Sequence, residues 1–263
     1  MNELRISFIQ SAIAWEDKTQ NLHDFYARVF SLKGLSDLVV LPEMFSTGFS
    51  MQASYLAETN EGNTIQTVRQ WAKESNLAIA GSFLAKNAEN RLFNRGFFVT
   101  PEGKSHFSDK RHLFRMAEEH HLFTAGNSYT IIPYKGWNIR LIVCYDLRFP
   151  VWIRNRSNEY DLLLCVANWP QPRANAWDIL LKARAIENLC YVCGVNRIEK
   201  DGNGISYQGD SALIDFKGNL LAQAEKNQPA VITDCLYKRD LEAFRAKFPA
   251  WEDADYFEYA CMI

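Results

Sequence analysis

Three residue types equipped for amide chemistry stand just beyond apolar runs: Glu43 in LPEMFSTGF, Lys110 in SDKRHLF and Cys144 in VCYDLRFP. Cys144 closes the run Ile139 to Val143, and Pro150 suits the first turn of a helix through Ile153. A thiol in such a strand-to-helix turn sits beside backbone N–H groups near the positive end of a helix dipole, which predicts thiolate character and an oxyanion site. A cysteine nucleophile needs a base, and a carbonyl turning into an oxyanion needs a fixed cation or donors. Glu43, Lys110 and Cys144 supply those parts, separated by 67 and 34 residues. Singly, each has a plainer reading as a solvated carboxylate, a surface ammonium or a buried structural thiol.

The elements that must carry these residues alternate between strand and helix patterns. Leu4 to Gln10 alternates apolar and polar as a half-buried strand does, and Leu22, Phe25, Val29 and Leu32 recur at helical spacing before Gly34. Leu38 to Leu41 reads as a buried strand ended by Pro42. Thr64 is expected to cap a helix carrying Ile65, Val68 and Trp71 or Ala72, and Leu77 to Phe83 returns to strand. Phe97 to Thr100 with Ser105 to Ser108, and Ser211 to Phe216 with Leu220 to Ala224, read as hairpins around Gly-containing turns. The runs Ile139 to Val143, Leu162 to Ala167 and Tyr191 to Val195 are apolar enough to be covered on both faces, with a helix over about Ala176 to Asn188 between the last two. No repeat period or low-complexity linker interrupts the pattern, so one α/β domain with mixed sheets is expected.

Composition narrows the function. The chain has 263 residues, 48% of them hydrophobic, and a formal net charge of −2 with both signs dispersed. That leaves no broad basic field for nucleic acid or an anionic membrane surface. No uncharged apolar run approaches the roughly 18 to 20 residues of a spanning helix, and no signal peptide is readable. Six cysteines spread over this length do not resemble a secreted disulfide framework and point to a reduced, cytoplasmic protein.

Together, LPEMF, DKRHLF and VCYDLRFP resemble the signatures of the carbon–nitrogen hydrolases, or nitrilase superfamily: a Glu after a strand, a Lys in K-x-HLF and a Cys in CYDxRFP. The resemblance runs from LRISFIQ through ANWP and WDILLKARAIEN to GDSALIDFKGNLL. It implies a four-layer α-β-β-α sandwich as a single domain over residues 1–263, commonly paired into homodimers, and a reaction needing no metal or organic cofactor. It implies that Cys144 is the nucleophile, Glu43 the base, and Lys110 with the backbone N–H of Tyr145 the oxyanion support. The family's second glutamate, seven residues before a Gly, matches Glu119 and Gly126, leaving Glu118 solvated.

The likeness is nearest to the omega-amidase branch, which cleaves the terminal amide of small dicarboxylic monoamides such as 2-oxoglutaramate. A substrate of that class carries a carboxylate that needs a cation, and Arg173, beyond Asn168-Trp169-Pro170, is suited to it. Phe114, Tyr145 and Trp169 are expected to wall the pocket, and Arg148 to form a structural ion pair. Aliphatic amides, N-carbamoyl compounds and nitriles remain open as substrates of the same triad.

Other chemistries fit less well. His112, Glu118, Glu119, His120 and His121 lack an H-E-x-x-H spacing, and adjacent His120 and His121 should diverge in regular structure, which argues against a zinc hydrolase. Cys190 and Cys193 lie in the strand-like CYVCGV and should face opposite ways, as core thiols. No histidine accompanies a protease-like cysteine signature, and a catalytically inert binding module would be expected to have lost one of the three residues.

Overall fold

The alternation in ELRISFIQ divides one strand between two cores: Leu4, Ile6 and Phe8 face one way, Ile9 the other. The computed structural model describes residues 3–258. In chain order its strands are β1 (Glu3–Gln10), β2 (Leu38–Val40), β3 (Ala78–Lys86), β4 (Leu92–Val99), β5 (Ser105–Asp109), β6 (Ile132–Tyr134) and β7 (Trp137–Val143). Then come β8 (Leu162–Ala167), β9 (Tyr191–Asn196), β10 (Ile198–Lys200), β11 (Ser206–Gln208), β12 (Ala212–Ile214), β13 (Leu220–Gln223) and β14 (Ala230–Tyr237). The helices are α1 (Lys18–Phe30), α2 (Ala53–Leu56), α3 (Asn63–Ser75), α4 (Glu119–Leu122), α5 (Pro150–Ile153), α6 (Ala174–Asn188) and α7 (Lys238–Lys247).

Two six-stranded sheets form, ordered β14-β1-β2-β3-β4-β5 and β13-β12-β9-β8-β7-β6, with β10 and β11 as a separate hairpin. In the first, β1, β2 and β3 are parallel and flanked by antiparallel neighbours. In the second, β7, β8 and β9 form the parallel centre in the same way. The two sheets thus repeat one pairing pattern, a duplication with no sequence period to announce it.

Leu38, Val40, Ala78, Ala80 and Phe98 of the first sheet pack into one core with Leu141, Leu163 and Val192 of the second. On its other face the first sheet buries Val39, Leu41 and Ile79 against Phe25 and Val29 of α1 and Ile65 and Val68 of α3. Helix α6 covers the second sheet through Trp177 and Leu181. The result is the α-β-β-α sandwich, and it explains why β7, β8 and β9 are apolar almost throughout.

Two local expectations change. Helix α1 ends at Phe30, so Leu32 packs from the following turn. Helix α3 is capped from outside: Gly62 occupies the N-cap position, and the Glu58 carboxylate accepts from the Thr64 backbone N–H at 2.7 Å, so Thr64 is inside the helix. A carboxylate there also favours the positive helix end.

Close packing demands glycine at several positions, among them Gly96 and Gly194. A Cβ on Gly96 of β4 would stand 2.9 Å from Leu141 Cδ2 of β7, where the sheets approach, and one on Gly194 of β9 would stand 2.5 Å from Leu181 Cδ1 of α6. Gly194→Ala should therefore force α6 outward and lower stability by about 1–3 kcal/mol, read as a reduced denaturation midpoint. An unchanged midpoint would show that the helix does not rest on the sheet there.

Candidate active site

Parallel strands bring their carboxyl ends to one edge of a sheet, where loops can converge on a ligand. Glu43 lies just after β2, Cys144 after β7 and Asn168 after β8, all at such ends. Strand β5 runs parallel to β3 because two antiparallel steps separate them, so Lys110 emerges at the same edge.

The carboxylate, ammonium and thiol meet in a buried cluster. Lys110 Nζ lies 3.2 Å from Glu43 Oε1 and 2.9 Å from Glu119 Oε2, so one cation is held between two carboxylates. Asn94 donates to Glu43 Oε1 at 2.6 Å, the Asn168 backbone N–H to Glu43 Oε2 at 2.6 Å, and the Phe114 backbone N–H to Glu119 Oε2 at 2.6 Å. Asn168 also gives its side-chain amide to the Glu43 main-chain oxygen at 2.7 Å, while its own main-chain carbonyl takes the Cys144 thiol at 3.8 Å. Glu118, beside Glu119, is exposed in a left-handed conformation with φ +55°.

Electrostatics derive from this enclosure. Burial opposes the Lys110 charge, but attraction from Glu119 and Glu43 outweighs it and holds the ammonium protonated. Burial pushes the Glu119 carboxyl above the ordinary carboxylate range against the pull of Lys110. Burial, with the Glu43 carboxylate adding to it, raises the Cys144 thiol well above its usual value. This corrects the expectation of a resting thiolate. The chain after β7 forms only a five-residue 3-10 turn beginning at Cys144 and then the four-residue α5, too little helix to offset the desolvation of a buried anion.

Cys144 itself adopts φ +46°, a strained turn that sharply redirects the chain as β7 ends. Asp146 braces it. One carboxylate oxygen accepts from the Val143 N–H at 3.2 Å, and the other accepts from the His112 N–H at 2.9 Å and lies 2.8 Å from His112 Nδ1. The loop carrying Lys110 is thereby tied to the turn carrying Cys144. His112 stacks on Phe149 with ring centroids 3.7 Å apart, and the His120 and His121 rings approach to 3.9 Å. The latter two do not diverge, because α4 is a single turn without the regular helical geometry assumed. Cys193 is buried in β9 and Cys190 is buried just before it, in the core.

Above the cluster a pocket opens, with Lys110, Cys144, Asn168, Phe114, Tyr145, Trp169 and Arg173 among its lining residues. Arg148 lines it too, its guanidinium 5.0 Å from the Trp169 ring centroid, while that of Arg173 lies 5.4 Å from the Phe114 centroid. Neither arginine has a carboxylate within ion-pair distance among the described residues. The expected ion pair of Arg148 is therefore replaced by a cation–π contact at the pocket wall. Sequence reasoning assigned no role to Asn94 or Asn168. The one available signal was a polar residue in or just beyond an apolar strand, in LFNRG and VANWP.

The family model for carbon–nitrogen hydrolases matches residues 5–246. The chain belongs to the carbon–nitrogen hydrolase family. It is a hydrolase of carbon–nitrogen bonds. It is 46% identical to the omega-amidase YafV of Escherichia coli K12 over 98% of this chain and 99% of that protein. It is 28% identical to the 2-oxoglutaramate amidase of Bacillus subtilis over 94% of this chain and 96% of the other. Among solved structures, XC1258 from Xanthomonas campestris, a superfamily member described with an arsenic adduct in its active site, superposes with a TM-score of 0.96. It shares 44% identity with this carbon–nitrogen hydrolase, covering 99% of this chain and 100% of that one.

A thiol protonated at rest has a kinetic consequence. With its titration displaced upward, the fraction of thiolate grows as pH rises, so alkylation of Cys144 by iodoacetamide should accelerate continuously from about pH 6 to about pH 9. Mass spectrometry of the labelled protein reads the rate. A plateau reached below about pH 7 would mean that the thiolate is the resting form.

Proposed function

We propose that this protein is a cysteine-dependent amidase of the omega-amidase type, hydrolysing the terminal amide of a small dicarboxylic monoamide such as 2-oxoglutaramate or 2-oxosuccinamate. The observation that carries this reading is a pocket lined by Cys144 and by Lys110, which is ion-paired to the buried Glu43, and whose walls present two guanidinium groups without acidic partners among the described residues. The kinship with omega-amidase YafV and a 2-oxoglutaramate amidase agrees with it.

In this mechanism Cys144 attacks the amide carbon as Glu43 takes the thiol proton, which explains why a thiol held high needs a carboxylate linked to it through Asn168. Lys110 and the Tyr145 backbone N–H stabilise the oxyanion. Glu43 returns the proton to the departing nitrogen, ammonia leaves, and a thioester remains on Cys144. Water, deprotonated by Glu43, then attacks the thioester and releases the carboxylate. Glu119 contributes by holding Lys110 through a second ion pair at 2.9 Å. Arg173 binds the substrate carboxylate, with Phe114, Tyr145 and Trp169 enclosing the short carbon chain.

The same reading includes a homodimer. Ile179 and Ile186, on one face of α6, are 54% and 52% exposed, an apolar stripe suited to a second copy.

Two measurements test the chemistry and the substrate. Cys144→Ala should abolish ammonia release while the far-ultraviolet spectrum is unchanged; more than trace turnover would exclude the thiol mechanism. In a panel of 2-oxoglutaramate, 2-oxosuccinamate, glutamine, an aliphatic amide, an N-carbamoyl amino acid and a nitrile, the two oxo-acid amides should lead. Arg173→Ala should shrink their advantage over the aliphatic amide by roughly ten- to a hundredfold in kcat/KM, through loss of a charge-assisted contact. A uniform fall across the panel would refute the role of Arg173, and preference of the unaltered protein for the nitrile would refute the omega-amidase assignment.

A further inference from the structure

Asn168 is 5% exposed and lines the pocket beside Cys144 and Lys110. The orientation of its side-chain amide is set by its neighbours: the nitrogen is 2.7 Å from the Glu43 main-chain oxygen and 3.3 Å from Glu43 Oε2. Both neighbours are acceptors, so the NH2 must face them and the carbonyl oxygen, Oδ1, must point elsewhere. That oxygen is buried and has no hydrogen-bond partner. Buried acceptors are nearly always satisfied, so an orphan at a reaction centre calls for a donor. Among the described buried side-chain atoms without partners, it is the one whose residue lines this pocket.

A primary carboxamide brings two N–H donors on the nitrogen that must leave, whereas an ester or a nitrile has none at that place. We propose that Asn168 Oδ1 accepts an N–H of the scissile carboxamide, so that the site recognises the leaving nitrogen directly and selects amides over esters. The inference rests on the amidase reading and adds a residue that touches the reacting group. Its placement is chemically apt, because Asn168 holds Glu43 with two donors and receives the Cys144 thiol on its main-chain oxygen. A nitrogen bonded to Oδ1 is therefore held between the nucleophile and the carboxyl group that protonates it on departure. The substrate carbonyl is left to turn toward Lys110.

A binding experiment separates this from mere support of Glu43. In a Cys144→Ala background, calorimetry with succinamate and with monomethyl succinate compares an amide with an ester of similar shape. The amide should bind roughly tenfold more tightly, since a site built to receive an N–H penalises an analogue lacking one. Adding Asn168→Ala should bring the ratio to about one. Adding Asn94→Ala instead, which removes the 2.6 Å bond to Glu43 Oε1 from a residue that does not line the pocket, should leave the ratio near tenfold. An unaltered preference in the Asn168 variant, or an equal loss in the Asn94 variant, overturns the proposal. If the Asn168 variant does not fold, equal affinities for the two ligands in Cys144→Ala alone overturn it. Failure of the unaltered enzyme to hydrolyse any carboxamide would instead remove the amidase reading beneath it.

Discussion

A lysine ammonium 1% exposed needs compensation for the water it has lost, and Lys110 has two carboxylate partners. Taking three charges out of water is expensive, and the attraction among them offsets it only when every remaining lone pair is also met. The surrounding structure does this with the amide of Asn94, the backbone N–H groups of Asn168 and Phe114, and the side chain of Asn168. Removing the lysine would leave two buried carboxylates without their cation, and breaking a buried pair in that way typically loses about 3–5 kcal/mol. The same interaction that makes the cluster costly also fixes it: the ammonium is held charged and the Glu43 carboxylate is anchored on both oxygens, so that in the proposed reaction neither must reorganise as charge develops on a bound carbonyl.

The sandwich is the device that lets these donors converge. Glu43, Lys110 and Asn94 come from the first sheet or its loops, Cys144 and Asn168 from the second, and the bond between Asn168 and Glu43 spans 125 residues of chain. Each sheet contributes its parallel strand ends, and the absence of a side chain at Gly96 allows β4 to lie close to Leu141 of β7. Asp146 then fixes the relative position of the two loops by holding the His112 backbone and ring while bracing the turn after β7. Precision at the site is thus inherited from rigid elements, with short loops adding the polar groups.

Above the cluster the balance of charge changes sign. The lysine is neutralised from below, and the wall carries Arg148 and Arg173, each resting over an aromatic ring. A guanidinium over an aromatic face keeps its N–H edge available for a planar anion, unlike one committed to a carboxylate. In the proposed reaction this divides the pocket into a buried floor, where the bond is cleaved, and a cationic wall for the part of the substrate that does not react.

The sequence by itself determined most of the elements and which residues gather at the candidate site. Period-two alternation in β1, the continuous apolar runs of β7 to β9 and the spacing of α1 and α3 are local consequences of which faces are buried, so they can be read along the chain. The turn after β7 was legible in VCYDLRFP, and the register to Gly126 distinguished Glu119 from Glu118. Tertiary structure alone decided the protonation state of Cys144, because desolvation depends on what encloses a thiol rather than on its neighbours in sequence. It decided that Arg148 lies over Trp169 instead of pairing with an acid, and that Asn94 and Asn168 converge on Glu43. It also produced two sheets of one pattern from dissimilar sequence, since many residues satisfy a buried strand position while the order of pairing is set by how whole elements pack. Local periodicity reports burial along one element. Charge, orientation and partnership at the site arise between elements, and exist only once the sandwich has closed.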